Sequence, residues 1–184
     1  MRVVNFSQIL AFLFLGVFSL VIFSCGKEST VEPTCTDGIQ NGNETGIDCG
    51  GDCDAFCIGS RGPANGIVFY DKGEYTNGWR YLEAAPSDQA ESSQWGCTMT
   101  FIGSTSTSIG FGKENQVTVL NSPTGCHASP TNINFPSAFW YCDVASIGDK
   151  NDWFLPSKDE LILMYQKKSI IGEFANGAYW SSSE

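Results

Sequence analysis

The stretch Trp153-Phe154-Leu155-Pro156-Ser157-Lys158-Asp159-Glu160-Leu161 decides how the carboxy-terminal part of this chain is read. Trp153 to Leu155 is a short apolar piece, and Pro156 disfavours helical backbone at the residue before it, so the piece is expected to be extended. Ser157, followed three residues later by Glu160, spells a capping box, in which hydroxyl and carboxylate each take an otherwise unpaired amide of the first helical turn. Leu161, Met164, Tyr165 and Lys168 then recur at helical spacing, which predicts a helix over 157–168 with an apolar face. Asp159 complements the positive end of that helix.

Working outward, Asn176-Gly177 predicts a turn and Ala178-Tyr179-Trp180-Ser181 the start of a strand. Upstream, helices are expected over 136–146, with Pro136 in the first turn and Phe139, Cys142 and Val144 on one face, and over 113–121. Ile67 to Tyr70 and Trp79 to Ala85 read as two strands around a turn at 71–78 that holds Gly73, Asn77 and Gly78. Residues 86–110 are mostly loop, with Trp95, Cys97, Phe101 and Ile102 as buried points. The domain over 66–184 is therefore α+β with few helices, and 58–65, rich in glycine, is a linker.

Charge excludes some functions. Past residue 24 the chain carries 9 basic against 20 acidic groups, a net of −11, so nucleic acid is not an expected partner. With His127 as the single histidine, Ser-His and Cys-His catalysis and multi-His metal sites all rest on one residue, and the expectation is that the chain is not an enzyme. Cys126 and His127 are adjacent in a loop, where nucleophile and base seldom reach bonding geometry. Asp149, Asp152, Asp159 and Glu160 are better explained as a solvated helix start than as a glycosidase or metal site.

At the other end, Ile9 to Phe23 is an apolar run of fifteen residues, about 22 Å of helix against a hydrocarbon core of roughly 30 Å. It suits a secretion signal over 1–24 better than a membrane span. Ile22-Phe23-Ser24-Cys25-Gly26 resembles a bacterial lipobox, although Phe23 stands where a small residue is usual. The resemblance implies that Cys25 becomes the lipidated first residue of the mature chain, with 25–34 as a tether to an outer-membrane lipid anchor. A signal cleaved elsewhere, with Cys25 free, is the competing reading. Lys27-Glu28 is similar to the export signal that sends lipoproteins of Bacteroidota to the cell surface, which implies an outward-facing location.

Residues 35–57 hold Cys35, Cys49, Cys53 and Cys57 in 23 positions, too few to bury a core. In an exported chain such a segment is a disulfide-stapled module, and three pairings remain open. Zinc is the competing reading, but the spacing lacks CxxC pairs. The segment also interleaves Asp37, Asn41, Asn43, Glu44 and Asp48 with glycines and contains no Lys or Arg. These five are candidate Ca²⁺ ligands, the one cofactor the sequence suggests, because hard oxygen donors on a permissive backbone are what that ion requires. A solvated turn region in which Asn and Asp serve turn geometry is the alternative. The string CTDGIQNGNETGIDCGGDC resembles a short cysteine-rich repeat that precedes many exported bacterial domains, which implies a stalk.

Ala84-Ala85-Pro86-Ser87-Asp88-Gln89, Gln94-Trp95-Gly96-Cys97, the run from Gly148 through Leu161, Met164-Tyr165 and Tyr179-Trp180-Ser181-Ser182-Ser183-Glu184 together resemble the Legionella collagen-like protein C-terminal domain family. The stretch around Pro156 is also similar to formylglycine-generating-enzyme-like domains. The resemblance implies a C-type-lectin-like domain, an extracellular setting, adhesion to sulfated glycans and no established catalytic residues. It further implies closing strands beyond Glu184, so the sequence is expected to be a fragment. The net charge of −5 over 58–184 argues against a sulfated ligand except near Lys167-Lys168. Most of the five tryptophans, Trp95, Trp153 and Trp180 among them, are expected in the core. Cys97, Cys126 and Cys142 allow one disulfide, with Cys126–Cys142 the expected pair. Two functions remain open: a cell-surface binding or adhesion lipoprotein with a glycan or extracellular protein ligand, and a structural envelope protein without a glycan ligand.

Overall fold

The computed structural model describes residues 33–96, 101–123, 136–172 and 174–184, all within the unit Pro33–Glu184. The secretion signal, the tether with Cys25, and Cys97, Cys126 and His127 lie outside the described residues. Among the described residues the secondary structure is a two-stranded antiparallel sheet and four short helices: β1 Ile67–Thr76, β2 Trp79–Ala84, α1 Gly112–Leu120, α2 Ala138–Asp143, α3 Lys158–Gln166 and α4 Lys168–Ile171. This is a small α+β domain with few helices.

The hairpin is longer than expected. β1 runs on through the segment read as a turn and closes at Asn77-Gly78, with register shifts between Asp71 and Thr76. A bidentate pair fastens it at the shift, Arg80 Nε and Nη2 donating to the two Asp71 oxygens at 2.8 and 2.9 Å. Residues 58–65 are not a free linker either. Gly59 N–H donates to the Val68 carbonyl at 2.8 Å and Val68 N–H to the Ser60 carbonyl at 2.9 Å, so this segment lies along β1 as a third edge. The Glu83 carboxylate holds its turn by accepting from the amides of Ala64 and Gly66.

The decisive stretch forms the seam between two cores. Extended backbone sends successive side chains to opposite sides. Phe154 accordingly packs against Phe69, Leu82, Ala84 and Ile171, and Leu155 joins Val119, Ala138 and Phe139. Each fully buried large side chain contributes about 1.5–3 kcal/mol, so the seam draws both clusters together. Among the described residues no strand flanks 153–155. Instead the Gln116 side chain substitutes for one, Nε2 donating to the Trp153 carbonyl (3.1 Å) and Oε1 accepting from Leu155 N–H (2.9 Å).

The capping box forms as the sequence predicts. Ser157 Oγ accepts from Glu160 N–H, and Glu160 Oε2 accepts from Ser157 N–H at 2.7 Å. Glu160 also reaches where the sequence gives no hint. It is 1% exposed, and its Oε1 accepts from Gly110 N–H at 2.7 Å and from Gly112 N–H at 3.5 Å. Helix α1 has no side-chain cap of its own. One carboxylate thus serves the amino-terminal ends of α1 and α3, where the helix dipoles favour negative charge. Gly112 permits the approach, since a Cβ there would overlap the carboxylate. Asn115, also 1% exposed, works in parallel: Oδ1 accepts from Ser106 N–H, and Nδ2 donates to the Ser106 carbonyl and to Ser182 Oγ.

Other local expectations shift. The helix read over 157–168 breaks at Lys167 into α3 and the single turn α4, bringing Ile171 into the first core. Ser137, not Pro136, starts α2, because its hydroxyl accepts from Trp140 N–H. Val144 falls at the C-cap and is exposed. Residues 178–181 form no strand. Trp95 is partly buried against Phe139 in an edge-to-face contact, whereas Trp180 is 51% exposed because its Nε1–H is spent on the Ser93 carbonyl at the surface and Ser182 takes the interior place.

Two outcomes follow. Glu160→Ala strands the amides of Gly110 and Ser157 and is expected to lower the unfolding free energy by about 3 kcal/mol or more, since each orphaned amide costs about 1–3 kcal/mol. Asp159→Ala should cost well under half as much, and equilibrium urea unfolding compares them. The Arg80 guanidinium, by hydrogen bonding, holds the Asp71 carboxyl below its ordinary value. A depressed folded-state pKa stabilises above the unfolded value and that contribution fades as the acid protonates, so it is present above about pH 5 and lost as pH falls below about 4. Asp71→Asn should flatten that limb of the stability–pH curve by roughly 1 kcal/mol.

Candidate functional site

The cysteine module pairs as Cys35–Cys53 and Cys49–Cys57. Cys49 lies inside the first loop and Cys57 outside it, so the two loops interlock and constrain the unfolded chain. The module is not a detached stalk within the described unit. Phe56 packs edge-to-face on Tyr81 of β2, ring centroids 5.4 Å apart, and Phe56 N–H donates to Tyr81 Oη at 3.2 Å.

Of the five candidate calcium ligands, the carboxylates of Asp37, Glu44 and Asp48 accept from turn amides, whereas Asn41 Oδ1 is buried with no partner among the described residues. Asp48 accepts from Gly38 N–H at 3.0 Å, and Asp37 from Ile39 N–H at 2.9 Å. Glu44 Oε2 accepts from the amides of Asn41 and Asp48. Asn43 Nδ2 donates to Asp52, and Asn41 Nδ2 to Asp37. That last bond, with the Ile39 amide, keeps the Asp37 carboxyl below its ordinary value. Among the described residues the group of metal-ligating side chains that converges is Cys35, Glu44 and Cys53. Its two sulfurs are joined to each other, so neither offers a thiolate to zinc or any other ion. The carboxylates of Asp37, Glu44 and Asp48 do not converge in such a group.

Cys142 is a free thiol where the sequence suggested a bond to Cys126, which lies outside the described residues. It sits on the inner side of α2 against the second core, and burial, with Asp143 beside it, pushes its pKa up to about 12.

A concave feature of the described residues lies between the hairpin turn and α1. A cleft of about 560 Å³ is walled by Asn77 and Trp79 on the hairpin, Gly110 and Phe111 on the loop entering α1, and Lys113, Glu114 and Val117 on the outer side of that helix. Each wall is fixed by the fold. Asn77 holds a positive φ of 51° as the first turn residue. Lys72 Nζ stands 3.9 Å over the Trp79 ring and donates to the Thr76 carbonyl, pinning the indole. Gly110, at a φ of 92°, lets the loop pass against that indole, where a Cβ would strike the ring. Phe111 and Val117 keep 40% and 51% of their surface exposed. Lys113 Nζ pairs with Asp152 at 3.0 Å.

Sequence reading missed this cleft. Its residues are scattered over two elements far apart in the chain, and none forms a motif. One available signal was Asn115-Gln116 in mid-helix, an unfavourable place for Asn unless its side chain has work elsewhere. Among the described residues no helix is long and apolar enough to cross a membrane.

Native-state alkylation is expected to spare Cys142, because a buried protonated thiol is a poor nucleophile. Iodoacetamide labelling followed by peptide mass spectrometry should find it modified only after unfolding.

Comparison with protein-family models, with curated proteins and with solved structures finds no match for this chain.

Proposed function

We propose that the chain is a non-catalytic binding protein of the bacterial cell surface, exported, anchored in the outer membrane through lipid on Cys25, and presenting the cleft between hairpin and α1 to a glycan. The reading takes the α+β unit as a C-type-lectin-like domain of the Legionella collagen-like type. The observation that carries it is the make-up of the cleft: rigid aromatic and aliphatic walls, with an amide, an ammonium and a carboxylate at the rim. Saccharides present the matching surface, with apolar ring faces and a girdle of hydroxyl groups that both donate and accept. The interlocked cysteine module suits a protein that must stay folded outside the cell, where disulfides persist.

A second reading has its own observation. Ile162, Tyr165 and Ile170 on α3 and α4 are 45–57% exposed, which suits packing against a neighbouring envelope protein without any glycan. Glycan-array binding of the mature ectodomain separates the two. Saturable binding to a defined glycan, weakened at least tenfold by Phe111→Ala and unchanged by a calcium chelator, is the expected result. Silence across the array, with wild-type folding by circular dichroism, contradicts the glycan reading.

A further inference from the structure

Helix α1 has a concavity on each side. Beyond the cleft already described lies a smaller one of about 140 Å³, floored by Gln116, Trp153 and Phe154 and rimmed by Asp143, Asn151 and Asp152. Lys113 and Val117 line both. These two residues, one helical turn apart, form a ridge, and the Lys113–Asp152 pair bridges it at 3.0 Å. A space of 140 Å³ is below the roughly 300 Å³ at which ligand pockets begin, so it serves as an annex of its neighbour rather than as a separate site. Trp153, which lines it, carries a buried Nε1–H that has no acceptor among the described residues. A buried donor left unpaired costs about 1–3 kcal/mol, which a ligand oxygen would recover after a small movement of the rim.

The charge around the two spaces is one-sided. Among the described residues Lys113 is the single cation lining them, against Glu114, Asp143 and Asp152. Its own charge is already met by Asp152, whose carboxyl it holds below the ordinary value through that hydrogen bond. A sulfated or carboxylated sugar would set its anions against two unpaired carboxylates, each contact at 4 Å costing about 1 kcal/mol in water and about 4 kcal/mol near a protein surface. Hydroxyl and amide groups meet no such penalty. They can accept from Lys113 and Trp153 and donate to Glu114 and Asp143, while Asn77 and Asn151 do either.

We propose that the two concavities form one track for an uncharged oligosaccharide of at least two units, with the larger holding one ring against Phe111 and the smaller holding the next beside Trp153. The inference rests on the glycan reading of the larger cleft and names its ligand class. The Lys113–Asp152 bridge marks the boundary between the two positions and bonds to the groups flanking the linkage. Lys168, whose ammonium lies 4.3 Å over the Tyr165 ring, belongs to another face and takes no part.

Isothermal titration of the mature ectodomain tests this with neutral gluco- and N-acetylglucosamine oligosaccharides of one to four units and a heparin tetrasaccharide. The expected result is affinity for one neutral series that rises at least tenfold from one unit to two or three. Asn151→Ala should weaken the trisaccharide at least fivefold, and Lys168→Ala should leave it unchanged, with thermal unfolding confirming that both variants are folded. Neutral binding without dependence on length, or indifferent to Asn151→Ala, overturns the track while keeping the glycan reading. Preference for heparin, lost in Phe111→Ala, overturns the neutral class but leaves the cleft. Binding of none of these sugars overturns both.

Discussion

The fold depends on one buried carboxylate. Glu160 sits between two helix starts and takes amides from both, which fixes the loop 108–112 against α3 and thereby sets α1 opposite the hairpin. Burying such a group is unfavourable unless its acceptor capacity is filled, and here backbone N–H groups fill it on both oxygens. Asn115 and Gln116, side by side on α1, extend the device. One clamps the loop at Ser106 and the chain at Ser182, and the other holds the extended seam at Trp153 and Leu155. With a sheet of two strands among the described residues, there are few ladders in which to pair their backbone. Three buried polar side chains perform part of that service, and the apolar clusters on either side of the seam supply the drive toward compactness.

That division of labour explains which features the sequence disclosed. The Ser157–Glu160 box is legible because both partners lie three residues apart and the geometry is that of a helix end. The hairpin is legible because Asn77-Gly78 separates two apolar runs. The cysteine module is recognisable by its density of cysteine, yet its pairing is not, since which sulfurs meet depends on the path of the intervening turns. The reach of Glu160 to Gly110, fifty residues away in the chain, leaves no local trace. Neither does the contact of Asn115 with Ser182. Trp180 misleads for a related reason. Its apolar neighbours suggest the interior, but a single bond to the Ser93 carbonyl holds it at the surface.

The acidic character of the chain divides the same way. In the cysteine module the carboxylates of Asp37, Glu44 and Asp48 accept hydrogen bonds from turn amides. Around α1 the carboxylates of Glu114, Asp143 and Asp152 instead line concave surface. A neutral polar ligand with apolar faces is the occupant proposed for those walls, and Glu160, which lines neither concavity, holds the loop that enters α1.

Native-state hydrogen exchange measured amide by amide tests the central claim most directly. If buried side chains replace strand pairing, the amides of Ser106, Gly110, Leu155 and Ser157, all outside regular elements, exchange as slowly as Val68, whose amide is bonded to the Ser60 backbone carbonyl. Exchange of these four at rates typical of open loops, while Val68 stays protected, would contradict it.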